Sequence, residues 1–429
     1  MRKFVLLLAG LFALSVAVYA VEVVFWTAPN PTQEAFWRSM AEAYMAEHPD
    51  VKITVQAIVE GPQGSEGTIL AAIAGGNAPT ASENIFTGFG AQLVEAGAVV
   101  PLNELPGWDE LIVARRMTNA IKGWVFGDGN YYIFPIYANA MLFAWRLDIL
   151  KELGFGEPPA TYEGILAVGK KLKEMYPDKF LWARTALVQP TWWQRWFDFF
   201  MLYNAASDGN PFLSGGKLVA DDEAVITVFK FLQELNAAEL LLTQPAENPF
   251  QTGLSIWTNF GPWGIPWMKE NFPELKFGEN LVFAPPPVPA SFGYVKPHKT
   301  FADAKGIVIY APHASGASQE QINAIWEFVK WVFGSVENDV AWFKQTNLLP
   351  LREDLTTNPA FAAVFAETPE LIPYAEELPY AVPPLKTPKV QDIQTALSEY
   401  GMIPALLGQK TPEQAWEDAK REILLLLEE

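Results

Sequence analysis

The chain has 429 residues, 50% of them hydrophobic and 18% charged, with 30 Lys and Arg against 49 Asp and Glu for a formal charge of −19. That is too apolar for disorder and, at roughly 100–200 residues per domain, long enough for two domains or one large two-lobed unit. The acidic balance, with no basic run beyond the pairs Arg115–Arg116 and Lys170–Lys171, excludes a general nucleic-acid binder, and zero cysteine excludes disulfides, thiolate metal sites, thiol nucleophiles and Cys-linked lipid anchors.

At the start, Arg2 and Lys3 precede an apolar run from Phe4 to Val18 and the small-residue site Val18-Tyr19-Ala20. This reads as a secretory signal peptide over residues 1–20, cleaved after Ala20; a single membrane anchor is the rival, but the run falls short of the roughly 20 residues a spanning helix needs. Next, Val21 to Trp26 reads as a buried strand, and Asn30-Pro31-Thr32-Gln33 opens a helix whose stripe is Phe36, Met40 and Tyr44. Val51 to Ile58 alternates apolar and polar residues as a second strand, completing a βαβ unit. A helix over 67–74 ends at Gly75-Gly76-Asn77-Ala78-Pro79, and Ser82 to Phe86 follows as a third strand edge. Such alternation implies a parallel α/β sheet.

Further along, 131–145 is an apolar and aromatic stretch around Pro135, Leu147 to Leu153 a short helix, and Thr161 the cap of a helix carrying Ile165, Val168, Leu172 and Met175. Trp192 to Asn204 reads as one strongly aromatic helix, Asp221 to Leu235 as another, and Leu254 to Phe260 as a strand ending in Gly261-Pro262-Trp263. Pro285 to Pro289 is the best candidate for a linker between lobes. Gly306 to Tyr310 reads as a buried strand, Ser318 with Gln321 caps a helix, and Thr411-Pro412-Glu413-Gln414 caps the last one.

The parts that catalysis needs are missing. There is no Gly-rich loop ending in Lys-Ser/Thr, Gly88-Phe89-Gly90 lacks the third glycine of a dinucleotide turn, and no HExxH or GxSxG occurs. Three histidines, His48, His298 and His313, leave little room for imidazole chemistry. The expectation is therefore no enzyme, no cofactor and no metal. A glycosidase needs only two carboxylates about 5–10 Å apart, so it stays as a lesser alternative. What is abundant is tryptophan, at 16 residues, which suggests a surface or cleft that stacks on a ligand.

Several segments together resemble the extracellular solute-binding proteins of bacterial ABC importers, in the large sugar-binding family that includes maltose-binding protein. They are VVFWTAPN with AYMAEHPDVKITVQ, ILAAIAGGNAPTASENIF with LVEAGAVVPLNEL, LDILKELGFGEPPATYEGILAVGKKL, FQTGLSIWTNFGPWGI, WEFVKWVFGSVENDVAWFKQTNLLPLRED and TPEQAWEDA. One departure is Thr80, where the family usually has Asp after Ala-Pro. The resemblance implies an α/β, two-lobed periplasmic-binding-protein fold that closes like a clamshell, with mixed, mainly parallel sheets flanked by helices and several hinge crossings. The first lobe is expected over 21–135 plus about 288–343, the second over 136–287 plus about 344–429.

The same resemblance directs attention to strand ends at the crevice. Trp263 matches a family position that stacks on a sugar ring. Trp192 and Trp193 open the aromatic helix, with Trp196 one turn on; packing between sheets is the rival reading. Trp26 and Thr27 follow the first strand, where the family places a contact, against core packing. Asn30 reads as the helix cap. Asn84, Phe86 and Thr87 end the third strand. Tyr137 and Asn139 lie past the first hinge crossing, and Asn139, a polar group in an apolar stretch, must find a partner in a sugar hydroxyl or the backbone. Tyr294 is added from the joint. Trp326, Trp331, Trp342 and Trp416 are assigned to helix packing.

The expected function is capture of a sugar or oligosaccharide in an aromatic-lined cleft and delivery to membrane permease subunits. The protein is expected to be periplasmic, monomeric and without nucleic-acid partners. A polyamine or peptide binder in the same fold is the rival; it would need Asp or Glu among the cleft residues.

Overall fold

In the computed structural model, which describes residues 20–61 and 64–428, the strands follow from local sequence pattern. In chain order they are β1 (Val21–Thr27), β2 (Val51–Ala57), β3 (Ala81–Ile85), β4 (Phe134–Ala140), β5 (Leu142–Arg146), β6 (Phe180–Ala183), β7 (Leu213–Ser214), β8 (Lys217–Leu218), β9 (Leu241–Leu242), β10 (Ser255–Phe260), β11 (Leu281–Ala284), β12 (Thr300–Ile309) and β13 (Ala381–Val382). The signal-peptide reading lies, but for Ala20, outside the described residues.

Two mixed sheets carry the molecule, and β7 with β8 forms a separate small hairpin. In the first sheet β1 runs parallel to β2 and β3, while β12 runs antiparallel to β3 and β4 and parallel to β13. The second has the order β11-β5-β10-β6-β9, with β10, β6 and β9 parallel and β5 antiparallel to both β10 and β11. Helices flank both sheets, so the two-lobed α/β architecture expected from the sequence is the one observed.

The apolar stretch 131–145 turns out to be the first crossing. β4 pairs with β12 in the first sheet, β5 pairs with β10 and β11 in the second, and Met141 alone separates them. Along β5 the alternation that strand geometry imposes sends Leu142 and Ala144 into one apolar cluster and Phe143 and Trp145 into the other. The chain returns between β11 and β12 through the Pro-rich segment. That segment is anchored: Val288 is buried and bridges Thr161.

Helix caps stand where the sequence places them. Asn30 Oδ1 accepts from the backbone of Thr32 and Gln33, Thr161 caps its helix, and Ser318 with Gln321 forms a reciprocal capping box; Asp221, expected as the first residue of its helix, is instead its cap. The expected single helix over 192–204 is different. It is a tight 3-10 turn, Trp192–Phe197, followed by an α-helix, Phe199–Ala206, and the break falls at Asp198, with φ −136° and ψ −77°. Its carboxylate is buried between Arg184 and Arg195 while capping Phe199, which no helical backbone at that position allows.

Ten of the 16 tryptophans are buried, so most of the indole surplus is core rather than cleft. Trp145, Trp182 and Trp257 stack with Phe143 inside the second lobe, the Phe143–Trp257 centroids being 4.3 Å apart. Trp326, Trp342 and Trp416 are buried in helix packing, and the partly buried Trp331 packs on the same core.

Candidate ligand-binding site

A cavity of about 460 Å³ opens between elements of the two sheets. One wall is aromatic. Trp192, Trp193, Trp196 and Phe197 come from the 3-10 turn after β6, and Trp263 comes from the Gly-Pro-Trp turn after β10. Arg184, just past β6, holds that turn: its guanidinium donates to Asp198 Oδ2 at 3.1 Å, to Asn259 Oδ1 at 3.1 Å and to Gln194 Oε1 at 2.6 Å. Asn259 lies on β10, so one side chain ties the indole-bearing turn to two strands of the second sheet.

The facing wall comes from the first sheet and the helix starts beside it, and sets polar groups among Phe86, Tyr137 and Phe301. It includes Asn30, Gln33, Asn84, Asp303 and Lys305, with Glu60, Ser65 and Glu66 toward the helix Gly64–Ala74. Asn84 has φ 71°, a left-handed conformation that asparagine tolerates better than most residues, and its Oδ1 accepts from Lys305 Nζ at 2.8 Å. Gln33 is 4% exposed and its Nε2 has no partner among the described residues. Behind this wall Glu83 is fully buried, accepts from the Ala28 amide at 3.0 Å, and is pushed up to about 7 because burial penalises its charge. Burial likewise raises the Asp303 and Glu66 carboxyls, with Lys305 opposing. It raises the Tyr137 hydroxyl well above its usual range.

Of the residues singled out from sequence, Asn84, Phe86, Tyr137, Trp192, Trp193, Trp196 and Trp263 stand on this cavity, as does the helix cap Asn30. Four do not. Thr27 belongs to the inward face of β1 and is fully buried, donating to the Ala28 carbonyl, so the wall begins one residue later at Ala28 and Pro29. Trp26 takes the opposite face of β1 and packs, partly buried, against core. Asn139 is buried in the β4–β12 ladder opposite Asp303, and its Oδ1 accepts from the Leu349 amide at 3.0 Å: the partner is backbone. Tyr294 pairs with Phe292 in an exposed turn and is absent from the cavity wall.

Sequence reasoning passed over Gln33, Glu60, Glu66, Phe197, Phe301, Asp303 and Lys305. For three of these a signal existed. Phe301, Asp303 and Lys305 are spaced by two, which puts them on one face of β12, and two charges between small residues ahead of an apolar run mark a strand that starts before Gly306.

Comparison with known proteins adds the following. A family model described as bacterial extracellular solute-binding protein matches residues 39–371. An uncharacterized protein of Listeria monocytogenes EGD-e, of known crystal structure, is 47% identical, with a TM-score of 0.83 over 95% of this chain and 100% of that one. The GacH receptor of Streptomyces glaucescens GLA.O, solved unliganded and with acarbose, is 19% identical with a TM-score of 0.75 over 96% and 99% of the two chains, a likeness of fold. A maltotriose-binding protein of Pyrococcus abyssi (strain GE5 / Orsay) is 26% identical over 159 residues, 37% of this chain and 32% of that relative, so the match spans about a third of its length.

Proposed function

This chain belongs to the bacterial extracellular solute-binding proteins, and from that premise we propose that it captures a sugar or oligosaccharide between its lobes and hands it to the permease of an ABC importer. The observation that carries this reading is the division of the cavity into an indole wall and a polar wall. A pyranose is amphipathic in the same way. Its C–H faces lie flat on aromatic rings, and its equatorial hydroxyls need acceptors and donors such as Asp303, Asn84, Gln33 and Lys305. The names of the Pyrococcus and Streptomyces relatives agree with this ligand class.

The lobes of this reading are the expected ones, 21–135 with about 288–343 and 136–287 with about 344–429, with the first boundary moved to Met141 because β4 pairs through Ala140 with β12 in the first sheet. A ligand touching both walls stabilises the closed arrangement and not the open one, and only such a difference in contact shifts the equilibrium. The protein then does no chemistry on its cargo and acts as a monomer. Arg2, Lys3 and the apolar run after them support export through a cleaved signal peptide, and the absence of Cys after it supports a free periplasmic protein. No helix among the described residues is long and apolar enough to cross a membrane.

Calorimetry and tryptophan fluorescence across a panel of mono- and oligosaccharides test the reading. Saturable binding with a fluorescence change is expected. A response to polyamines or peptides with none to any sugar overturns it in favour of the cation reading, which the carboxylates Glu60, Glu66 and Asp303 on the wall favour.

A further inference from the structure

The wall charges of the cavity are unequal. Three carboxylates, Glu60, Glu66 and Asp303, face a single ammonium, Lys305, and no arginine or histidine stands on the wall among the described residues. Lys305 is already engaged. It donates to Asn84 and is the cation that offsets Asp303 and Glu66, two carboxyls that burial alone drives toward the protonated form.

Two helix N-termini reach the cavity, and these ordinarily attract anions. Here the chain brings its own oxygen acceptors to both. At Gly64–Ala74 the first-turn Glu66 brings its own carboxylate to the positive end. At Pro31–Glu47 the cap Asn30 takes the amides of Thr32 and Gln33, and Glu34 sits in the first turn. An entering carboxylate or phosphate therefore finds no guanidinium on the described wall and one ammonium already engaged, and it meets three carboxyl groups in a cleft where water screens little. Gln33 shows independently that the wall is built to meet a polar ligand: its buried, unpartnered Nε2 is a neutral donor that any ligand oxygen can accept from, and it adds no positive charge.

We propose that this cavity selects by charge, taking neutral saccharides and saccharides that carry a protonated amine while refusing the same sugars bearing a carboxylate or phosphate. The inference rests on the sugar reading above and narrows its ligand class. An amine can meet Glu66 or Asp303 directly and lie against the faces of Trp192 or Trp193.

The test uses the full mature chain and a matched set: a neutral oligosaccharide found to bind, its C6-oxidised uronate and its 2-amino-2-deoxy analogue, titrated calorimetrically at neutral pH and at low and high salt. The uronate is expected to bind at least about tenfold more weakly than the parent, the gap shrinking with salt, and the amino sugar at least as tightly as the parent. Glu66→Gln is expected to narrow the gap; Asp303→Asn is the second variant should the first fail to fold, with thermal melts as the check. A uronate that matches the parent overturns the proposal, and so does a gap that neither folded variant moves. If no saccharide binds, the sugar reading fails instead, and the charge rule is read on a diamine against a dicarboxylate of equal length; binding of the dicarboxylate overturns it.

Discussion

Phe86 and Trp192 face each other across the two walls, with 5.7 Å between their ring centroids. Phe86 follows β3 of the first sheet directly, while Trp192 opens the turn that Arg184 binds to the second. In the proposed reading, motion that parts the lobes separates this pair, which would give the contact a part in both ligand recognition and closure.

Trp192→Ala removes one face of the cavity. Saccharide affinity should fall by roughly tenfold, the equivalent of a lost stacking contact of about 1.5 kcal/mol, with a small change in melting temperature because the indole is only partly buried. Trp192→Phe should retain most of the affinity. Calorimetry on both variants decides, and unchanged affinity in the alanine variant removes Trp192 from the site.

Arg184 positions the indoles without touching the ligand in this reading. Arg184→Met leaves Asp198 with Arg195 alone and frees Gln194 and Asn259. Affinity should drop by about tenfold, and the intrinsic fluorescence should shift to the red as the 192–197 turn loosens. Arg184→Lys restores one bond of the set and should fall between the two. A variant that loses stability but keeps its emission maximum and affinity rules out the positioning role.

Glu83 predicts a pH dependence of stability. Its folded value, about 7, lies above the ordinary 4.5 because burial disfavours the charge. The folded chain then holds the proton over an interval in which the unfolded chain has released it. Stability therefore declines as pH rises through that interval, and the full penalty, on the order of 3 kcal/mol, is present above neutrality. Urea titrations between pH 4.5 and 7 should show this slope for the parent, whereas Glu83→Gln should be flatter; equal slopes would assign the effect elsewhere.

Asp339 is fully buried beneath two guanidiniums. Arg115 donates to it at 2.8 Å and Arg352 at 3.0 Å, while Arg115 also donates to the Pro135 and Ile136 carbonyls at 2.6 and 2.7 Å. The start of β4, the strand that leads into the crossing at Met141, is thereby pinned. Asp339→Asn leaves the buried Arg115 without a counter-ion and Arg352 with Asp354 alone, and should cost about 3–5 kcal/mol in chemical denaturation. A loss below about 1 kcal/mol would show that the pair is dispensable.

Some of this was legible in the chain itself. Caps at Asn30, Thr161 and Ser318 and the alternation along Val51–Ala57 depend on neighbours a few residues away, so periodicity and side-chain chemistry report them directly. Trp263 could be read because Gly and Pro hold it at a strand end. Asp198 could not, since its break depends on Arg184 and Arg195 converging on one buried carboxylate.

By itself, then, the sequence determined an α/β chain and a set of aromatic and amide side chains near strand ends, because those follow from local pattern; the two-lobed arrangement was implied by its resemblance to the sugar-binding family. The assignment of the 16 tryptophans to core or cleft, the division of 134–146 between two sheets, and the meeting of Glu60, Glu66, Asp303 and Lys305 on one wall were decided only by tertiary structure. Each requires segments hundreds of residues apart to pack together, and the period of a single strand or helix holds no information about its distant partner.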